Sequence, residues 1–306
     1  MNDEKKCIIC DKTVEFEFVS NIRDDDTRSV YQCQACDHVQ LWPLPTQIED
    51  NEFYQSGKMY RSIFNDEIQF LNEEKLMYRY RNFVYEQSEQ LVKHLSKVSN
   101  PKILDVGTGY GWLVEFMLER GYQIDGVELS DEKRALCKKR CGIDIFDYNF
   151  LEETPDASEL FGNYDVICLM QVLEHINDPK LFLRRVKKLL KSGGMVFIDV
   201  PNYDDYMKQE LPEYNSFTYS RMHLSYFTSE TLTFCLEGSG FVNIETYGHQ
   251  LYSFENVLWW LREKKPFFDY HQIDVPDQLC WLNDIYKQKL ETQKKSNLLI
   301  GIGYNL

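Results

Sequence analysis

Four cysteines near the start of the chain have the spacing of a metal site. They form two pairs, Cys7–Cys10 in CIIC and Cys33–Cys36 in CQAC, with two residues inside each pair. Two turns of this kind aim four thiolates at one point, which is the tetrahedral arrangement that zinc prefers. Because protein ligands fill all four positions, we predict a closed, structural Zn²⁺ site made by Cys7, Cys10, Cys33 and Cys36.

The remaining cysteines show no comparable pattern. Cys137 and Cys141 are one helical turn apart but lack a second pair, so we interpret them as packing residues. The same interpretation applies to Cys168, Cys235 and Cys280. His38 lies near the second cysteine pair, but four thiolates make it surplus as a ligand, and a solvated or hydrogen-bonded histidine is favoured.

A second candidate site is the segment KILDVGTGYGWLVEFML, residues 102–118, in which three glycines separate an apolar run from an apolar-periodic stretch. At such a strand-to-helix turn, glycine lets the backbone approach a bound ligand closely. Asp105 precedes the glycines, and Glu128 ends the next strand, where a carboxylate can accept both hydroxyls of a ribose. These residues predict a ligand that contains adenosine.

The spacing of the glycines narrows the choice of ligand. A dinucleotide fingerprint needs its third glycine three positions after the second, but Trp112 stands there and Gly111 comes one position early. The turn is therefore Gly107-Thr-Gly109-Tyr-Gly111, preceded by an acid. With LDVGTGYG and GVELS, the sequence resembles the class I S-adenosylmethionine-dependent methyltransferases over roughly residues 101–248 and in its terminal strand.

This resemblance implies the cofactor contacts. The residues that it assigns to S-adenosylmethionine are Asp105, Gly107, Thr108, Gly109, Glu128, Leu129, Asn149, Phe150 and Met170. Among them, Glu128 would hold the ribose and Leu129 would lie against adenine. The family often has an acid at the exocyclic amine of adenine, whereas this chain has Asn149 there, with Asp147 as the nearby alternative.

Two histidines are candidates for a general base. Methylation of an alcohol or a carbon acid needs a proton acceptor, and histidine titrates in a suitable range. His175 in MQVLEHINDP follows the fourth strand and His223 in YSRMHLSYFT follows the fifth, at the strand ends where open α/β sheets bind ligands. The alternative for each is a structural histidine that is hydrogen-bonded near a helix start.

The segment LEHINDP is also similar to quinone-pathway O-methyltransferases, in which a Glu-x-x-Glu-His cluster is associated with a divalent metal. Gln171 replaces the first Glu in this chain. Glu174 and His175 alone make a poor site for magnesium, which takes several oxygen ligands. We therefore do not predict a second metal.

The ribbon, the core and MHLSYF together resemble zinc-ribbon methyltransferases of sugar and glycan biosynthesis. This resemblance implies a catalytic region of His175 and His223 with Tyr54 and Tyr60 from the linker. Met222 stands where the sugar C-methylating motif has Glu, which favours an oxygen acceptor. We thus expect a methyltransferase that acts on a small molecule, either a sugar or a sugar-bearing intermediate.

Charge and composition bear on the partners. A formal net charge of -15 opposes binding to nucleic acid and to anionic membranes. No signal-peptide or membrane-spanning pattern occurs, and we expect a cytoplasmic protein. An RNA methyltransferase with a zinc finger and a non-catalytic binding module stay as alternatives, and the oligomeric state is left open.

The elements that position these residues alternate between strand and helix from Pro101 onward. This alternation predicts an α/β fold with a mostly parallel sheet covered on both faces. The resemblance implies a Rossmann-like, seven-stranded sheet whose last strand, NLLIGIGYNL, is antiparallel. The predicted organisation is a zinc ribbon (1–45), a helical connector (46–100) and a methyltransferase domain (101–306). The last contains a helical insertion (249–296), which is typical of a cap, of packing or of dimerisation.

Overall fold

The computed structural model of the chain describes residues 4–55, 73–96, 98–151, 160–266 and 277–306. Its N-terminal part is a ribbon of short antiparallel strands, β1 (Lys5–Lys6), β2 (Thr13–Val14), β3 (Phe16–Asn21), β4 (Ser29–Cys33) and β5 (Val39–Trp42). β1 pairs with β2, and β4 lies between β3 and β5. RSVYQC runs antiparallel to VEFEFV, with Phe16 opposite Cys33 and Asn21 opposite Ser29.

Two helices follow the ribbon, α1 (Gln47–Gln55) and α2 (Glu73–Leu95). α2 belongs to the packing of the main domain, since Leu91 and Leu95 are buried in the same apolar cluster as Ile103 and Met117. The arrangement buries one stripe of an otherwise charged helix, as expected for a helix on a protein surface.

The main sheet carries the candidate site. The remaining strands of the chain are β6 (Lys102–Val106), β7 (Gln123–Val127), β8 (Tyr164–Met170), β9 (Leu190–Pro201), β10 (Ser225–Tyr226), β11 (Val242–His249) and β12 (Leu298–Tyr304). All but β10 form one sheet in the order β11-β12-β9-β8-β6-β7. Strands β7, β6, β8 and β9 are parallel, whereas β12 is antiparallel to both neighbours. The antiparallel last strand is therefore confirmed.

The apolar segment IDIF, residues 143–146, contributes one isolated bridge between Phe146 and Val127 at the edge of this sheet. The sheet is thus the expected Rossmann-like one, with six paired strands and a bridge in the seventh place. Both faces are covered, because successive strand residues point to opposite sides. Ile103 and Val166 enter one apolar cluster, while Leu104 and Ile167 enter the other.

Helices fill the connections. They are α3 (Trp112–Glu119), α4 (Asp131–Cys141), α5 (Pro179–Lys187), α6 (Tyr206–Glu210), α7 (Pro212–Thr218), α8 (Ser229–Gly238), α9 (Phe254–Glu263) and α10 (Trp281–Thr292). Local sequence sets their starts: the Ser130 side chain accepts from the Lys133 N–H to cap α4, and Asp178 caps α5 ahead of Pro179. α9 and α10 lie between β11 and β12, so the helical insertion before the last strand is present.

The ribbon and the main domain share a sheet. β10 joins the free edge of β5, with Ser225 opposite Gln40 and Tyr226 opposite Val39. The ribbon sheet is therefore completed by a strand from the loop that follows α7. Among the residues that the structure describes, no helix combines the length and the apolar character needed to cross a membrane.

Candidate functional site

Each glycine of the turn after β6 meets different surroundings. A Cβ on Gly107 would lie 2.6 Å from Val172 Cγ2, and one on Gly111 would lie 2.4 Å from Cys137 Sγ. A Cβ on Gly109 would have nothing nearer than the Gly107 carbonyl oxygen, at 3.9 Å. All three have positive φ values of 82°, 56° and 81° in chain order. Gly107 and Gly111 are thus required by packing, and Gly109 presents bare backbone to open space.

The two predicted acids lie on either side of this turn. Asp105 is buried, and burial together with the neighbouring Glu128 raises the pKa of its carboxyl to about 7. The Glu128 carboxylate accepts from the Gly109 N–H at 2.8 Å and from the Ser130 N–H at 2.9 Å. These contacts fix Glu128 at the tip of β7, next to the half-buried backbone of Gly109.

This geometry fits an adenosyl sulfonium. Gly109 provides a side-chain-free surface, and the two carboxyls beside it are acceptors for a cationic methionine head and for ribose hydroxyls. Leu129, the next residue after Glu128, is 56% exposed and presents an apolar side chain to solvent. An exposed leucine at that position offers a surface for a flat base.

The other predicted cofactor residues are placed as follows. The Thr108 hydroxyl donates to the Asp105 carbonyl at 3.0 Å, which ties the turn to the end of β6. Met170 is the last residue of β8 and pairs with Asp199. Asn149 Oδ1 accepts from the Leu151 N–H at 3.0 Å.

The two other side chains that the sequence assigns to the adenine side contact protein groups in the structure. Phe150 is buried, with its ring centroid 5.8 Å from that of Phe182. Asp147, the alternative to Asn149, forms an ion pair with Arg134 at 3.0 Å.

The two candidate bases are adjacent in space. The ring centroids of His175 and His223 lie 5.2 Å apart, although the residues belong to different loops. His175 Nδ1 lies 2.6 Å from the Met222 carbonyl oxygen, which can only accept, so Nδ1 carries the hydrogen and Nε2 keeps a free lone pair. Burial lowers the pKa of His175 to about 4 and that of His223 well below its ordinary value. Both imidazoles are therefore neutral near pH 7.

The histidine loop and the glycine turn are in direct contact. Val172, three residues before His175, fills the space that a side chain on Gly107 would occupy. The absence of a side chain at Gly107 thus brings the His175 loop against the turn that faces the open space. This contact places the candidate base next to the candidate cofactor site.

Two acids at the loop of His175, Asp199 and Glu174, are buried, which the sequence does not predict. Asp199 is fully buried in β9, its Oδ1 accepts from Gln171 Nε2 at 2.5 Å, and burial raises the pKa of its carboxyl to about 7. Burial likewise raises the pKa of Glu174 well above its ordinary value, so its 3.7 Å approach to His175 Nε2 is not an ion pair. The available signal was an acid inside the apolar run MVFIDV.

Glu174, His175 and His223 also have the geometry of a cation site. One donor atom from each residue lies within 4.8 Å of the others. Glu174 and His175 are the two candidate ligands that the sequence places together, and the tertiary structure adds His223. Two imidazoles and one carboxyl group are a donor set that zinc-like divalent ions accept, provided that Glu174 gives up its proton when the ion binds.

The four ribbon cysteines form the expected cluster. Cys7 Sγ lies 3.6 Å from Cys36 Sγ, and Cys10 Sγ lies 3.8 Å from Cys33 Sγ. Four thiolates placed tetrahedrally about zinc at about 2.3 Å have sulfur atoms about 3.8 Å apart, which is close to these two distances, and all four sulfur atoms lie within 4.8 Å of one another. The Ile9 and Ala35 N–H groups point at Cys7 and Cys33 Sγ, as outer-shell donors to thiolates do.

The linker tyrosines are not placed by the structure. Tyr60 lies outside the described residues, and Tyr54 belongs to α1 at a position whose side chain is not described. Their catalytic assignment stays a prediction.

A parallel sheet with one antiparallel strand, a glycine turn after its first strand and an acid at the tip of the second defines a Rossmann-like methyltransferase fold. Residues 78–246, more than half of the chain, match the methyltransferase domain family. The chain belongs to this family.

Curated relatives match over the centre of the chain. A ubiquinone biosynthesis O-methyltransferase from Pseudomonas aeruginosa is 32% identical over 108 residues, which are 34% of this chain and 46% of the relative. One from Idiomarina loihiensis is 34% identical over 112 residues, which are 36% of this chain and 46% of the relative. The chain spans about half the length of the curated relatives that it matches.

Solved structures share the fold at low identity. A SAM-dependent methyltransferase from Archaeoglobus fulgidus superimposes with a TM-score of 0.51 and 16% identity, covering 74% of this chain and 94% of the other. The 1,6-didemethyltoxoflavin-N1-methyltransferase of Burkholderia thailandensis, solved with S-adenosylhomocysteine, has a TM-score of 0.52 and 16% identity, with coverage of 94% and 99%. These likenesses concern the fold.

Proposed function

We propose that this protein transfers a methyl group from S-adenosylmethionine to a hydroxyl of a small molecule, and that the acceptor is a sugar or a sugar-bearing intermediate. The observation that carries the proposal is the neutral His175–His223 pair, held against the glycine turn through Val172. A proton acceptor and a candidate cofactor site thus share one edge of the sheet. The family membership and the relatives named as O-methyltransferases support oxygen as the acceptor atom.

Different residues of this chain bind the cofactor and accept the proton. Asp105 faces the methionine part, Glu128 holds the ribose, and Gly109 lets the cofactor lie against the backbone. When bound, S-adenosylmethionine supplies an electrophilic methyl group on its sulfonium. His175 Nε2, whose lone pair is free because Nδ1–H donates to Met222, accepts the proton of the acceptor hydroxyl. His223, beside it, is the alternative base.

The sugar acceptor is supported by the resemblance of the ribbon, the core and MHLSYF to zinc-ribbon methyltransferases of sugar and glycan biosynthesis. Oxygen over carbon is supported by Met222, which stands where the C-methylating motif of that group has Glu. We assign the zinc a structural role, because its four ligands leave no open position. We keep the cytoplasm as the expected compartment, in which thiols stay reduced.

Calorimetry and mass spectrometry test this function together. We expect S-adenosylmethionine and S-adenosylhomocysteine to bind the folded protein, and a panel of nucleotide sugars and glycans to yield a methylated product. His175→Ala or His223→Ala should lower turnover by about 10²–10⁴-fold while cofactor affinity is kept, as expected for a general base. His94→Gln, which keeps a partner for the Tyr247 hydroxyl, is the matched control. Absence of cofactor binding would contradict the proposal.

A further inference from the structure

The spacing of the two histidines depends on loops rather than on the main sheet. His175 ends a short 3-10 helix after β8, and His223 lies between α7 and β10. Two hydrogen bonds join the loops directly: His175 Nδ1 to the Met222 carbonyl at 2.6 Å, and the Leu224 N–H to the Glu174 carbonyl at 2.8 Å. What holds these loops from outside therefore bears on the geometry of the site.

Asp50 of α1 contacts both loops with one carboxylate. Its Oδ1 accepts from Arg221 Nη2 at 2.7 Å, and its Oδ2 accepts from Asn177 Nδ2 at 3.1 Å. Arg221 is two residues before His223, and Asn177 is two residues after His175. Each oxygen of Asp50 is thus bonded to the loop of one histidine.

This bridge is largely shielded from water. The Arg221 side chain is 6% exposed and that of Asp50 is 19% exposed, and the guanidinium lies 5.0 Å from the Phe53 ring. A buried charge pair is sensitive to the loss of one partner, because the other charge is left uncompensated. Replacement of Asp50 should therefore remove one contact from each loop at the same time.

The ribbon contacts the loop of His223 on both sides of that histidine. The Arg221 N–H donates to Asp24 Oδ1 at 2.8 Å, and the Leu41 N–H donates to the Leu224 carbonyl at 3.0 Å. β5 also pairs with β10 directly after this segment. The stretch that contains His223 is thus fastened on both sides by residues that precede the methyltransferase domain.

We propose that Asp50 is a positioning residue that sets the spacing of His175 and His223, so that the segment before the methyltransferase domain is part of the acceptor site. The proposal rests on the proposed role of the histidines as bases. Asp50 acts through Arg221 and Asn177. A displacement of about 1 Å at a reacting group can cost about 100-fold in rate.

Asp50→Asn is the direct test, with Glu52→Gln, an exposed neighbour on α1, as the matched control. We expect Asp50→Asn to lower kcat by about tenfold or more while cofactor affinity stays within about twofold. The imidazole NMR signals of His175 and His223, assigned with the two alanine variants, should shift in Asp50→Asn and stay unchanged in Glu52→Gln. Asn177→Ala cuts one arm of the bridge and should give the same signature if Asp50→Asn folds poorly.

The proposal also requires that the effects of substitutions at Asp50 and Arg221 on kcat are coupled. The kcat effects of Asp50→Asn and Arg221→Gln should be markedly less than additive in the double variant, because both remove the same bridge. Additive effects, or unchanged histidine signals in both Asp50→Asn and Asn177→Ala, would overturn the proposal. If His175→Ala and His223→Ala keep full turnover, the base assignment fails, while the NMR shifts still decide whether Asp50 positions the histidines.

Discussion

At the scale of single residues, the glycine turn shows that similar residues are required for different reasons. Gly107 leaves room for Val172, and Gly111 leaves room for Cys137. Only Gly109, of these three, has open space where its side chain would be. The turn therefore has two roles. It lets β6, α4 and the loop of His175 pack closely together, and it offers a surface without side chains to a ligand.

A pair of alanine substitutions separates these two roles. Gly111→Ala should lower the free energy of unfolding by about 2–4 kcal/mol, because it combines a left-handed φ with a clash at Cys137. Gly109→Ala should cost only about 1–2 kcal/mol from its φ but weaken cofactor binding about tenfold or more. Urea unfolding and calorimetry measure the two effects. Unimpaired cofactor binding by Gly109→Ala would show that no ligand approaches this residue.

Asp105 predicts a pH dependence of cofactor binding. Burial and Glu128 raise the pKa of its carboxyl from an ordinary 3.8 to about 7, so the free protein holds a proton there below pH 7. A cationic cofactor favours the carboxylate, so affinity should rise with pH, by nearly tenfold per pH unit below 7, and level off above it. Calorimetry in buffers of different ionisation enthalpy should detect proton release at pH 6.5.

The folding stability of the cofactor-free protein should depend on pH in the opposite direction. A carboxyl whose folded pKa is raised stabilises the cofactor-free protein most in acid, and this contribution is lost as pH rises through about 7. Asp105→Asn should remove both dependences while the protein stays folded. A variant that retains the full pH profile of binding would exclude Asp105 as its source.

At the scale of elements, the ribbon is joined to the main domain through strand pairing. Gln40 illustrates this connection: its side chain accepts from the Ile8 N–H and donates to the Lys6 carbonyl, while its backbone lies opposite Ser225. The first cysteine turn, β5 and β10 thus form one hydrogen-bonded unit. Disruption of the cysteine cluster is expected to affect the loop of His223 as well as the ribbon.

Cys33→Ser tests this connection. It removes one of four thiolates, so we expect zinc to be lost on mild dialysis, the melting temperature to fall and turnover to fall, while cofactor binding by the β6–β7 region is kept. Elemental analysis, thermal unfolding and calorimetry report the three quantities. Cys280→Ser, at an exposed cysteine, should match the wild-type protein. Full turnover without zinc would show that the ribbon does not support the site.

At the scale of the whole molecule, the net charge bears on which partners the protein can bind. The chain carries 49 acidic and 34 basic side chains, for a formal net charge of -15. One basic run lies on α5. Its Arg185 side chain donates a hydrogen bond to the Phe150 carbonyl oxygen and is therefore engaged within the protein. A field of this sign repels a phosphate backbone.

The charge leads to a prediction for the RNA alternative. In a mobility-shift titration at about 0.15 M salt, structured RNA should not be retained at micromolar protein concentrations. A control methyltransferase with a basic RNA-binding surface should retain it in the same assay. Tight binding that weakens steeply with salt would favour the RNA methyltransferase over the small-molecule enzyme.

Much of the fold could be predicted because its signals are local. Cysteine pairs, the glycine spacing after β6, the acid at the tip of β7 and the alternation of strand and helix all lie within short windows of sequence. A local pattern works when the backbone geometry of a few consecutive residues decides the outcome, as at Gly107, Gly109 and Gly111. IDIF shows the limit, since an apolar run at the sheet edge formed one bridge only.

The sequence by itself therefore determined the class of fold, the cysteine cluster and the two histidines as candidates. Only the tertiary structure decided that the histidines are neighbours, that Asp199 is buried beside the loop of His175 and that β10 completes the ribbon sheet. It also decided that Asp50 bonds to Arg221, 171 positions away. The physical reason is that such contacts arise when distant segments pack together, and no spacing within either segment encodes which partner it meets.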